Sequence, residues 1–297
     1  MTDAAAAGPA AVRSERMTVN GISLHLRTAG DGPLVLLLHG WPETSYAWRR
    51  VIPALAAQYT TVAVDMRGCG DSDRPEGGYD KRTVAADMAA LIDQLGLGQA
   101  RVAGHDWGGA VGYYLTAAYP GLVSHFAAIE TVLPGFGLAE LADISLGQQH
   151  AWWMSLATML DVPEWLLAGR EREFLAYFYR QHAYSPGAIG PADLDEYARC
   201  YSAPGAMRAG FGYYRTLADD VRDFGDLPVP GCPVLSVGGR QRLGGLVAAS
   251  IRQVAPHSEE VIIERCGHYP AEEQPAVLGD TLRRFFTSPS AASTAAP

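Results

Sequence analysis

No metal or disulfide pattern stands out in the 297 residues: Cys69, Cys200, Cys232 and Cys266 are the only cysteines and none forms a C-x-x-C pair. Spacing of that kind suggests neither a zinc site nor a cystine framework, and reduced, mostly buried thiols are expected. No run of about 18 uncharged apolar residues occurs, as a membrane span would require. The alanine-rich start, Met1–Met17, has no basic segment followed by an apolar one, so no secretory signal is read and a cytoplasmic location is expected. Basic residues are few, 23 against 32 acidic ones for a net charge of −9, and they form no stripe. That balance argues against nucleic acid as a partner. With no P-loop, dinucleotide fingerprint or metal-ligand cluster, neither a cofactor nor a metal is expected. No internal repeat or heptad pattern is visible.

What is present is enough apolar residue, 48% of the chain, to bury a large core. Met17–Arg27 reads as two strands about the turn Asn20-Gly21, and Pro33–Leu38 as a buried central strand. A helical pattern over Tyr46–Gln58 follows, then a strand at Thr60–Val64, a helix at Lys81–Leu95, a strand at Ala100–Ala103, a helix at Gly109–Tyr119 and a strand at Ser124–Ile129. Strands that alternate with helices imply an α/β fold, a mostly parallel sheet with helices on both faces. From Leu133 the β-runs stop and the sequence turns helical and aromatic to about Asp226. The strand and helix rhythm then resumes with Pro233–Val237, Gly245–Val254, Glu260–Ile263 and Pro275–Phe286. The expected organisation is a core over 15–132 and 227–287, an inserted helical cap over 133–226, and frayed tails at 1–14 and 288–297.

Gly104-His105-Asp106-Trp107-Gly108 has the G-x-Nu-x-G form of a nucleophile elbow, following an apolar strand and opening a helix. Asp106 merely capping that helix would explain the aspartate but not both glycines. His39-Gly40-Trp41-Pro42 ends the earlier central strand, so that the N–H groups of Trp41 and Trp107 can form an oxyanion hole. Cys266-Gly267-His268-Tyr269-Pro270 places His268 on a loop at the same sheet edge, as a general base should be.

Four segments now carry a family likeness in order: His39–Pro42, the loop Asp65–Ser72, the elbow Gly104–Gly109 and the histidine loop Gly267–Pro270. The chain resembles the epoxide hydrolase and haloalkane dehalogenase branch of the α/β-hydrolase superfamily. The resemblance implies the α/β-hydrolase fold and a covalent aspartate nucleophile, Asp106. In many relatives the triad acid follows the strand after the cap, but here Gly238–Gly244 holds no carboxylate. Some relatives place the acid at the end of the strand after the elbow, which points to Glu130; from there it can fix the His268 tautomer.

A carboxylate nucleophile decides the reaction class. Attack on an ester or amide gives only an anhydride, whereas attack on a saturated carbon gives an ester that activated water can cleave. The expected reaction is opening of an epoxide to a diol, with a small-molecule epoxide, bulky or aromatic, as substrate. Tyr214 resembles the cap tyrosine that donates the ring-opening proton, with Tyr213 beside it as the other candidate. His150, Trp152 and Trp153 stand in the first cap helix where relatives carry leaving-group contacts, although His150 reads rather as a surface residue. A haloalkane or haloacid dehalogenase shares every motif, and a non-catalytic small-ligand receptor would keep the pocket alone. The sequence leaves a homodimer open.

Overall fold

Leu34–Leu38 is apolar at every position because it lies inside a sheet covered on both faces. The structure, a computed structural model, describes residues 11–143 and 152–289. The strands are β1 (Arg13–Val19), β2 (Ile22–Ala29), β3 (Leu34–Leu38), β4 (Thr60–Val64), β5 (Ala100–His105), β6 (Val123–Ile129), β7 (Val234–Gly239) and β8 (Glu259–Ile263). They form one sheet in the order β1-β2-β4-β3-β5-β6-β7-β8. The pairs β1/β2 and β2/β4 are antiparallel and the rest are parallel.

The first helices are α1 (Ile52–Ala56), α2 (Lys81–Leu95) and α3 (Trp107–Ala118). Between β6 and β7 come α4 (Leu138–Ala142), α5 (Trp152–Thr158), α6 (Val162–Leu167), α7 (Glu171–His182), α8 (Pro191–Tyr201), α9 (Ala206–Arg215) and α10 (Leu217–Gly225). The chain closes with α11 (Gly245–Ile251), α12 (Pro270–Glu273) and α13 (Pro275–Phe286). This is an α/β-hydrolase fold. The period of two along the strands sorts the core: Val35, Leu37, Ala103 and Leu235 join Leu55, Leu278 and Phe286 on one face. Leu36, Leu38, Val102 and Phe126 join Met88, Ala110 and Val247 on the other.

Local chemistry explains where elements begin and end. The Asp80 carboxylate accepts the Thr83 N–H at 2.8 Å and starts α2, and Gly96, at φ +65°, ends it. Two expectations are corrected. The helix over Tyr46–Gln58 is broken into a 3-10 turn, Ser45–Arg50, and the short α1, because Pro53 lacks an N–H and its ring would clash with the Arg49 carbonyl in a continuous helix. Arg13 and Ser14 are not frayed: they pair with Thr28 and Arg27 in the sheet. Ser288, expected in the other tail, donates its N–H to the Phe285 carbonyl at 3.1 Å, and residues 1–10 and 290–297 lie outside the described residues.

The insertion between β6 and β7 is fastened to the core by buried tyrosines. Hydroxyls of Tyr179, Tyr201 and Tyr213 donate to the carbonyls of Pro42, Glu43 and Arg67 at 2.6, 2.8 and 2.8 Å. Lys81, the chain's single lysine, is fully buried and reaches from α2 to Asp220 on α10 at 2.8 Å, with its ammonium 4.2 Å from the Trp107 ring centroid. Breaking a buried pair strands a charge. Lys81→Met should therefore lower unfolding free energy by about 3–5 kcal/mol in urea titration, and Lys81→Met with Asp220→Leu should recover much of it. A double variant no more stable than the single one would contradict this.

Candidate active site

The chain leaves β5 through a strained turn: Asp106 has φ +51° and ψ −118°, then α3 begins at Trp107. A Cβ on Gly104 would stand 2.1 Å from the Gly108 carbonyl oxygen, and one on Gly108 would stand 2.4 Å from that of Leu38. Both glycines are therefore required by close backbone approach, and the turn presents the Asp106 carboxylate at the carboxyl end of the sheet. The Trp41 N–H donates to Asp106 Oδ1 at 2.9 Å. Trp107 follows as the first residue of α3, where an N–H has no intrahelical acceptor.

His268 Nε2 lies 3.7 Å from Asp106 Oδ2, and its Nδ1 lies 3.1 Å from Glu130 Oε2. Glu130 is completely buried at the end of β6, with φ +43°. Its carboxylate also accepts the N–H groups of Gly239, the last residue of β7, at 2.6 Å and of Leu243, on the loop that follows, at 3.3 Å. His268 is itself anchored. Its N–H donates to the His182 carbonyl at 2.9 Å, and His105 Nε2 donates to the His268 carbonyl at 2.6 Å.

Burial opposes the charge on Asp106, but contact with His268, the field of His105 and the Trp41 N–H outweigh it and hold its pKa below the usual carboxylate value. Burial likewise opposes protonation of His268; the carboxylates of Asp106 and Glu130 overcome it and raise its pKa to about 9. At neutral pH the resting site thus pairs an ionised Asp106 with a protonated His268. Tyr214 is pushed well above 10, first by burial and then by the charge of Asp106, while the indoles of Trp107 and Trp153 oppose the rise. It keeps its proton until a strong base appears.

These groups face one cavity of about 170 Å³, lined by Asp106, Glu130, His268, Tyr214, Trp41 and Trp107 together with Trp153, Phe178, His182 and Arg242. The Tyr214 ring meets those of Trp107 and Trp41 edge-on, with centroids 5.0 and 5.5 Å apart. Not every expected residue is there. Tyr213 points away, its hydroxyl held by the Arg67 carbonyl, and Trp152 is 44% exposed on the outside of α5, because neighbouring helical side chains diverge by about 100°. Both are corrected as substrate contacts. His150 lies outside the described residues. His182 and Arg242 line the cavity without having been singled out, since nothing in the local pattern of Tyr179–His182 or Gly239–Leu243 marks them.

A family of alpha/beta hydrolase fold matches residues 33–275. The chain is 36% identical over 278 residues to the soluble epoxide hydrolase of Corynebacterium sp. (strain C12), covering 90% of this chain and 95% of that one. It is 30% identical over 234 residues to the fluoroacetate dehalogenase of Burkholderia sp, covering 74% and 75%. Among solved structures, Cfl2 of Burkholderia cenocepacia superimposes with a TM-score of 0.88 at 38% identity, covering 93% and 96%.

Proposed function

The chain belongs to the alpha/beta hydrolase fold family, and from that premise we propose that it hydrolyses epoxides to diols through an alkyl ester formed on Asp106. Asp106 attacks a ring carbon, the C–O bond breaks, and the Tyr214 phenol gives its proton to the departing alkoxide. His268 then removes a proton from water, which attacks the ester carbonyl; the acyl–oxygen bond breaks, the diol oxygen takes the proton from His268, and the proton left on the new Asp106 carboxyl returns to the Tyr214 phenolate. The N–H groups of Trp41 and Trp107 take up the oxyanion, and Glu130 holds the His268 ring and its developing charge.

The observation that carries the epoxide reading is the juxtaposition of a carboxylate nucleophile with a buried phenol across one cavity. A halide leaves without a proton, whereas a ring-opened alkoxide requires one. The similarity to the Corynebacterium epoxide hydrolase supports the same reading. A cavity of about 170 Å³ is below the ~300–1,000 Å³ of drug-sized ligand sites. That favours a compact epoxide over the bulky one expected from the aromatic composition of the cap.

Tyr214→Phe removes the proton donor and keeps the ring. Epoxide turnover should fall by about 10²–10³-fold, toward the lower end of the usual worth of one positioned acid because the indole N–H groups of Trp107 and Trp153 remain. The loss should appear in formation of the ester, read by quenching of tryptophan fluorescence, before His268 acts. If ester formation keeps its rate, Tyr214 is not the donor. If the unaltered protein releases halide from alkyl halides and ignores epoxides, the reaction is dehalogenation.

A further inference from the structure

Of the lysine and arginine residues all but one are arginine, and the exception, Lys81, is completely buried. Of its three ammonium N–H groups, one is accepted by the Tyr213 carbonyl and one by Asp220 Oδ2 at 2.8 Å, which leaves the third beside the Trp107 ring, whose centroid is 4.2 Å away. Three partners can converge on a compact ammonium and not on a planar guanidinium. Asp220 is fixed in turn: it accepts the Lys81 backbone N–H at 2.9 Å and the Thr216 hydroxyl at 3.1 Å. The pair is thus a dipole held with its positive end toward Trp107, the residue that follows the nucleophile. Burial lowers the Lys81 pKa; Asp220 opposes the fall most, and the carboxylate of Asp106 opposes it too, so ammonium and nucleophile lie in each other's field. Stability does not account for such a pair, since apolar side chains of the same volume commonly do as well.

We propose that Lys81 is a positioning residue of the oxyanion hole: acting through the Trp107 indole on which it packs, it holds the Trp107 N–H in place and sets a buried positive charge behind it, and so speeds hydrolysis of the Asp106 ester but not its formation. The inference rests on the covalent reading above and is indifferent to whether an epoxide or a halide was opened, because the second half-reaction is the same. In that half the water oxygen bonds to the ester carbonyl carbon as His268 takes a water proton, and the carbonyl electron pair moves onto its oxygen; collapse of this oxyanion breaks the acyl–oxygen bond, and the departing oxygen takes the proton from His268. The ester is neutral and the oxyanion is not, so a cation that feels the Asp106 carboxylate favours the step. Ester formation runs the other way. Charge leaves Asp106 for an oxygen that Tyr214 protonates, and a cation that steadies ionised Asp106 gives this step no advantage.

The test reads the two halves apart by rapid-quench mass spectrometry of the intact protein in Lys81→Met with Asp220→Leu, the pair of changes expected to recover much of the stability lost by the first alone. The Tyr213 carbonyl keeps the Thr216 hydroxyl as a donor at 3.3 Å, so α9 still holds Tyr214 in place. Ester hydrolysis should slow by about 10–50-fold, less than the ~10²–10³-fold cost of removing a direct oxyanion donor, while ester formation stays within about 3-fold. The pH midpoint of hydrolysis should not move, because burial and the carboxylates set the His268 pKa, and that separates this variant from Glu130→Gln. Lys81→Arg keeps a cation in the site. It should hydrolyse the ester faster than the Met and Leu pair does even where its urea midpoint is lower, whereas a merely structural role makes rate follow stability. Equal slowing of both halves, or hydrolysis at the normal rate, would make Lys81 a structural staple and overturn the proposal. An unaltered protein that forms no ester from epoxide or alkyl halide would overturn the covalent reading and this inference with it; a normal ester whose hydrolysis ignores the pair overturns the inference alone.

Discussion

Asp106→Ala should lower epoxide turnover by about 10⁵–10⁶-fold while the protein stays folded, because a covalent route has no substitute once its nucleophile is gone. Among the described residues, no other group lining the cavity is placed to replace it. Glu130 is enclosed by the N–H groups of Gly239 and Leu243, and His268 is held between two carboxylates at 3.1 and 3.7 Å. Alanine at φ +51° is less comfortable than aspartate, and the fold also loses an ionised carboxylate whose pKa it holds below the usual value, so stability should fall somewhat while the protein remains folded. The check is single-turnover kinetics beside a urea titration. Activity within about 100-fold of the unaltered enzyme would exclude Asp106 as nucleophile.

Glu130→Gln should leave ester formation largely intact and slow ester hydrolysis by about 10³–10⁴-fold, so that the alkyl-enzyme accumulates. The asymmetry follows from the charges. In the resting enzyme Asp106 and Glu130 together raise the His268 pKa, and a base is not required for the first step. Alkylation removes the charge on Asp106, His268 loses one of the two carboxylates that raise its pKa to about 9, and the ring becomes a base near neutral pH. In the normal enzyme the hydrolytic rate should therefore rise with pH through a midpoint below 9. Glu130→Gln lowers that midpoint further, yet it also leaves the ring free to take the wrong tautomer, and the plateau rate falls. Rapid-quench mass spectrometry of the intact protein reads the ester directly. Equal slowing of both halves would give Glu130 another role.

The groups legible in the sequence are those whose geometry is fixed within a few residues. Asp106 is marked by glycines that close backbone contacts demand, and His268 by its place between the last strand and the last helix. The bounds of Lys81–Leu95 and Pro275–Phe286 follow from caps and prolines at their ends. Glu130 could be reached only by elimination, because its left-handed backbone and its donors from the loop after β7 come from strands far apart in the chain. The choice between Tyr213 and Tyr214, or between Trp152 and Trp153, depends on how a helix docks against the core. Periodicity fixes their angular separation but not which one faces inward. His182 and Arg242 are the clearest cases of what a single sequence hides: each reaches the cavity from an element whose own pattern is unremarkable, and only the packing of α7 and the loop after β7 brings them together.

Whether Asp106 forms the ester and water attacks its carbonyl is read from one turnover of fresh enzyme in heavy-oxygen water. One of the two oxygens of the Asp106 carboxylate should then carry the label, found by mass spectrometry of the peptide that contains Asp106, and the first diol released should carry none. Label in the first diol with none in Asp106 would mean that water attacks the epoxide carbon itself, and the covalent account would be wrong.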